Sequence, residues 1–99
     1  MVKPAAEATA ALLKFCEDHG KNPESLVELR VCADALKWGR REKAVEAFRR
    51  IPLGGMGTFA DWVPATKYPH ETDGYVSSVF EALLFRFAHF MRLLEKQEG

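Results

Sequence analysis

Residues 73–96 read DGYVSSVFEALLFRFAHFMRLLEK, and this stretch decides the fold class. At about 100° per residue, Val76, Phe80, Leu83, Phe87, Phe90 and Leu94 fall within about 40° of one line. Val79, Leu84 and Met91 widen that stripe. An apolar face held over about six turns predicts a helix, starting near Asp73 or Gly74 and running to about Lys96. Thr72 or Asp73 is placed to cap it. Phe85 stands about 180° from the stripe, beside Ser78, Arg92 and Lys96. An outward phenylalanine is either covered by another segment or marks a partner surface. The aromatic residues just upstream favour cover.

Those aromatic residues lie in a long connection. Residues 52–74 carry Pro52, Pro64 and Pro69, with Gly54, Gly55, Gly57 and Gly74. No strand alternation is visible there. A connection this long inside a small domain is unusual and is often functional. Thr58-Phe59-Ala60-Asp61 approximates a capping box, which predicts one short helical turn from Phe59 to Val63, ended by Pro64. Gly54, Gly55 and Gly57 could let backbone amides converge on an anion, but no Gly-Lys-Ser/Thr follows, and no strand precedes them as a dinucleotide fingerprint requires. The structural reading is therefore favoured: a joint that ends one helix and turns Met56, Phe59, Trp62 and Tyr68 against the bundle.

Further upstream, Ala44, Val45, Ala47, Phe48 and Ile51 form the face of a short third helix, stopped by Pro52. Gly39 separates it from the second helix by a tight turn. The second helix runs from about Pro23, capped by Asn22, to about Trp38. Its apolar residues wrap most of its circumference, which predicts a central position. The first helix extends from near Pro4 to near Gly20, with Ala5, Ala8, Leu12, Phe15 and Cys16 on one face. The expected architecture is all-α: a single domain over residues 1–99, with four helices in a compact bundle and a long ordered loop before the last.

Composition narrows the function classes. Apolar residues make up 47% of the 99-residue chain, and its 14 basic and 14 acidic residues cancel. A neutral domain is poorly suited to nonspecific nucleic-acid binding or to an acidic membrane surface. Arg40, Arg41, Lys43, Arg49 and Arg50 form a local basic stretch, diluted by Glu42 and Glu46, that reads as a solvated helix face. No apolar run is long enough to span a bilayer or to read as a signal peptide. Two cysteines on apolar faces do not make a disulfide framework, and a cytoplasmic setting is expected. Cys16 and His19 are neighbours on one helix, but no second close pair joins them, so no metal and no cofactor is assigned. The segment Lys67-Tyr68-Pro69-His70-Glu71-Thr72-Asp73 groups titratable side chains that could supply a general base. A solvated, capping loop is the favoured reading, and no residue receives a catalytic role.

Residues 52–62 read Pro-Leu-Gly-Gly-Met-Gly-Thr-Phe-Ala-Asp-Trp. This segment resembles one carried by small bacterial helical proteins of uncharacterised families, Gly-Gly-Met-Gly-Ser/Thr-Phe followed closely by aspartate. The match covers Gly54 to Asp61, with Ala60 where a polar residue is expected. The resemblance implies a helical domain of bacterial type and carries no activity with it. The leading expectation is a protein-binding module (regulator, adaptor or toxin-neutralising partner), with a protein partner or a second copy of the chain on its surface. The candidate surface comprises Gly54, Gly55, Met56, Gly57, Phe59, Asp61, Trp62, Tyr68, His70 and Phe85. The alternatives are a small-molecule-binding domain or enzyme using the 54–73 loop with His70, Glu71 or Asp73, and a nucleic-acid accessory protein using the 40–50 face.

Overall fold

A computed structural model describes residues 2–53 and 59–98. Four α-helices follow in order: α1 (Val2–Asp18), α2 (Val27–Lys37), α3 (Arg41–Arg49) and α4 (Asp73–Glu98). Single 3-10 turns occur at Pro23–Leu26 and Phe59–Asp61, and no strand is found among the described residues. The domain is all-helical and bundle-like. Its contacts close a ring in which α1 packs on α2, α2 on α3, α3 on α4, and α4 on α1. The capping expected of Thr58 lies outside the described residues, as do the candidate positions Gly54, Gly55, Met56 and Gly57.

Helix ends follow local chemistry. Asn22 Oδ1 accepts the Glu24 N–H at 3.0 Å, and Ser25 N–H donates to Asn22 C=O at 3.0 Å. That three-residue bonding tightens Pro23–Leu26 into a 3-10 turn, so α2 proper starts later than the sequence suggests. Thr72 Oγ1 accepts the Tyr75 N–H at 3.2 Å and caps α4. Two glycines end helices in the left-handed region, Gly20 at φ 80° and Gly39 at φ 71°. Lys21 N–H reaches Cys16 C=O at 2.9 Å, and Arg40 N–H reaches Ala35 C=O at 2.7 Å. Both are six-residue closures across a glycine that no L side chain replaces without strain.

The core is built from the predicted stripes. Ala5, Ala8, Leu12 and Cys16 of α1 are fully buried, as are Val76, Phe87, Met91 and Leu94 of α4. Thr9 is also buried, with its hydroxyl donating to Ala5 C=O at 2.7 Å. Phe48 of α3 meets Phe87 edge to face with centroids 5.5 Å apart. Cys32 of α2 lies 3.9 Å from the Met91 sulfur. One expectation fails: α2 is not surrounded. Leu29, Cys32, Ala35 and Leu36 are buried, but Val27 is 52% and Trp38 66% exposed. Those two residues sit at the tips of α2, where no neighbouring helix covers them.

Gly20→Ala is expected to destabilise the domain by about 1 kcal/mol, because alanine resists the positive φ. Gly74 lies in the first turn of α4 with open space where a Cβ would stand. Gly74→Ala should therefore stabilise by about 0.5–1 kcal/mol. Urea unfolding midpoints that move in the same direction would contradict this account.

Candidate functional site at the end of helix α1

Four consecutive residues at the end of α1 organise the connection between α3 and α4. His19 is the first anchor. Its Nδ1 lies 3.0 Å from Phe15 C=O and its Nε2 2.8 Å from Glu71 Oε2. Both partners are acceptors, so satisfying both requires two ring N–H groups, and the imidazolium form is favoured. The His19 and Glu71 side chains are each only 4% exposed. Burial opposes a charge on His19, but the Glu71 and Phe15 bonds outweigh it and hold its pKa above 6.5. Burial would also raise Glu71. The N–H groups of Tyr68 (2.9 Å) and Lys67 (2.7 Å) bind its other oxygen, and together with His19 they hold its carboxyl down at about 2.

Asp18 is the second anchor. Its carboxylate accepts from Lys67 Nζ at 2.6 Å and from the Tyr68 hydroxyl at 2.8 Å. The Lys67 bond and then the Tyr68 bond hold the Asp18 pKa below its ordinary value. Residues about fifty apart in sequence are thereby clasped. Phe15 stacks on the His19 ring with centroids 4.1 Å apart, which screens the clasp from one side.

Below this clasp the chain carries an aromatic strap. Phe59 is buried and Trp62 half-buried, both packed on Phe80 of α4 at 6.1 and 5.0 Å between centroids. Phe59 N–H donates to Pro52 C=O at 2.9 Å, so the chain resumes beside the end of α3. Lys21, the residue just past Gly20, runs beneath the strap. Its ammonium stands 4.6 Å from the Phe59 centroid and 5.0 Å from that of Trp62. The residue is only 8% exposed. The ion pairs among the described residues join His19 to Glu71, Arg30 to Glu17, Arg49 to Glu95, Arg50 to Glu28 and Lys67 to Asp18. None includes Lys21, and burial lowers its pKa below 10.5.

Lys21 also lines a cleft of about 500 Å³. Its walls include Val27, Ile51, Pro52, Phe59 and Trp62, with Asn22, Glu24, Ser25, Glu28 and Arg50 around them. Every fully enclosed side-chain nitrogen or oxygen among the described residues has a partner. The Lys21 ammonium has no such partner among the described residues and is therefore not sealed, and Lys21 is one of the residues that line this cleft. A larger cavity of about 670 Å³ lies elsewhere, against Arg40, Arg41, Glu42, Lys43 and Gln97. Its charged residues are all exposed, so it holds no comparable unmet group.

The predicted surface residues scatter. Phe59 and Trp62 belong to the cleft. Tyr68 belongs to the Asp18 clasp, with His70 stacked on it at 6.0 Å. Asp61 ends the 3-10 turn and is exposed. Phe85 is 75% exposed, so the cover expected from the loop does not exist. Phe59 and Trp62 pack on Phe80 instead, and Phe85 lies about 140° around α4 from Phe80. Phe85 forms a separate groove of about 480 Å³ with His89, Arg92, Leu93, Glu95 and Lys96. Lys21, Asp18 and the His19–Glu71 pair escaped sequence reading as site residues. One signal was available for Lys21: the position after a helix-ending glycine usually carries an apolar contact, and here it is a lysine.

Neither cysteine is activated. Burial pushes the Cys16 and Cys32 thiols up to about 12, far from a nucleophilic thiolate. Glu71 and Asp18 are occupied by structural bonds. No three His, Cys, Asp or Glu side chains converge on one point among the described residues, and no helix is long and apolar enough to cross a membrane. Comparison with protein-family models, curated proteins and solved structures finds no match to this chain.

Two outcomes test this geometry. Glu71 is lowered, so its contribution is present above pH 4.5 and lost as pH falls towards 2. His19 is raised, so its contribution is full below pH 6.5 and is lost as pH rises through the folded-state value. The stability gap between the wild type and Glu71→Gln should peak between pH 4.5 and 6.5 in urea titrations; a gap that keeps growing above pH 8 would contradict the pair. Lys21→Met retains the packed stem and removes the charge. Burial of a polar group costs about 1–3 kcal/mol, and a cation–π contact returns about 0.5–2. Lys21→Met should therefore raise stability by about 1 kcal/mol, and a lower melting temperature would show the charge to be a net stabiliser.

Proposed function

We propose that this chain is a protein-binding module, and that its partner docks on the cleft between the Asn22–Glu28 segment and the side chains of Ile51, Pro52, Phe59 and Trp62. The observation that carries the reading is Lys21, a buried residue that lines that cleft, whose ammonium lies over two aromatic faces and has no ion-pair partner among the described residues. A desolvated cation beside apolar walls is the arrangement that a complementary partner rewards most, since completing it relieves a cost already present in the free domain.

Catalysis is the less supported reading. Of the titratable residues of the 67–73 loop, Lys67, Tyr68 and Glu71 are engaged in fixing it, above all Glu71 in its bonds to His19, Lys67 and Tyr68. The basic stretch is likewise engaged: Arg41 binds Gln97, Arg49 binds Glu95 and Arg50 binds Glu28. That weakens the case for a nucleic-acid surface there.

A photo-crosslinking residue at the exposed, cleft-lining position Ser25 tests the reading in extract from the source organism. The proposal expects one protein to be captured from position 25, to be lost when Val27→Asp is added, and to bind the purified domain with measurable stoichiometry. Capture only from a crosslinker at Phe85, or from neither position, would overturn it.

A further inference from the structure

Resting on that reading, we infer that the cleft recognises a single carboxylate side chain of the partner, a glutamate or aspartate flanked by an apolar residue, which enters to pair with Lys21. Three observations support this choice. Lys21 is a buried residue, its ammonium lies over Phe59 and Trp62, and it has no ion-pair partner among the described residues. Lys21 is not fully enclosed and lines the cleft, which is the route by which an anion would reach it.

Charge around the cleft decides how much anion it accepts. Lys21 and Arg50 are cationic, and Glu24 and Glu28 are anionic. Arg50 is already paired with Glu28 at 3.5 Å. Glu24 remains as a negative neighbour on the exposed side. One cation without an ion-pair partner among the described residues, with the Glu24 carboxylate lining the same cleft, suits a single negative charge and disfavours a phosphate dianion. The walls decide what carries the charge. Val27, Ile51, Pro52 and the faces of Phe59 and Trp62 would bury an apolar neighbour of the acid. A hydrogen bond between two charged groups contributes about 1.5–3 kcal/mol, which corresponds to about tenfold to a hundredfold in affinity.

Trp62 is a built-in reporter. The only other tryptophan is Trp38, 66% exposed at the end of α2, so Trp38→Phe leaves Trp62 as the sole indole. Blocked peptides acetyl-Leu-Glu-Leu-amide and acetyl-Leu-Gln-Leu-amide would be titrated into that protein while its fluorescence is followed. A third peptide, acetyl-Leu-Gln-Leu with a free C-terminus, and octanoate test other sources of a carboxylate. The inference expects the Glu peptide to bind at least tenfold more tightly than the blocked Gln peptide, and expects Lys21→Met to abolish that preference. The Glu–Gln comparison uses one protein, so it does not depend on a Lys21 variant folding. Equal binding of the Glu and Gln peptides, or of neither, would overturn the inference. A preference for octanoate or for the free C-terminus over the Glu side chain would overturn it too. If Lys21→Met still captures the same partner from extract as well as the wild type does, the carboxylate assignment fails while the docking reading stands.

Discussion

The left-handed turn at Gly20 is the constraint on which the rest of this structure depends. By ending α1 there, it holds Asp18, His19 and Lys21 around one short stretch of backbone, closed by the Lys21 N–H to Cys16 C=O bond. Two of these residues hold residues 67–71, and the third runs beneath the 59–62 strap. A connection of some twenty residues would otherwise lose considerable entropy for few contacts. Instead it is fixed at two places by charged hydrogen bonds and at a third by aromatic packing on Phe80. The start of α4 follows directly, because Glu71 stands just before the Thr72 cap.

The three polar residues differ in how their charge is met. Asp18 has two donors and His19 has two acceptors, so both contribute to a single folded arrangement. Lys21 has aromatic faces and no carboxylate partner among the described residues. Local rules agree with the fold at many other places: Asn22 and Thr72 cap helical turns, the buried Thr9 hydroxyl is bonded, and the main apolar stripes face inward. A residue that breaks such consistency without a stabilising return is the place to look for function. Lys21, in the lining of the cleft, is such a residue.

The helices were legible because their signals are local. The stripe from Val76 to Leu94, the Asn22-Pro23 start and the glycines at 20 and 39 each depend on residues within a few positions of one another. The candidate site was legible only in part. Phe59 and Trp62 could be suspected from the clustering of aromatic residues in one loop. The His19–Glu71 bond spans 52 positions, and no spacing rule connects such a pair. His19 and Cys16 are neighbours to which no metal is assigned, and nothing local in the sequence shows that the fold turns the imidazole to Glu71 and buries Cys16 in the core. Phe85 failed for the same reason in reverse: composition supplied aromatic residues to cover it, but geometry sent them to Phe80 and Asp18.

The account stands or falls on the state of the Lys21 ammonium in the free domain. Its ζ-nitrogen can be followed by heteronuclear NMR across an alkaline titration, with the Lys21→Met spectrum assigning the signal. A buried cation without a counter-ion predicts a pKa below the ordinary 10.5, rising when a carboxylate ligand fills the cleft. A pKa at or above 10.5 in the free protein would mean that the ammonium is hydrated or already paired, and would contradict the central claim.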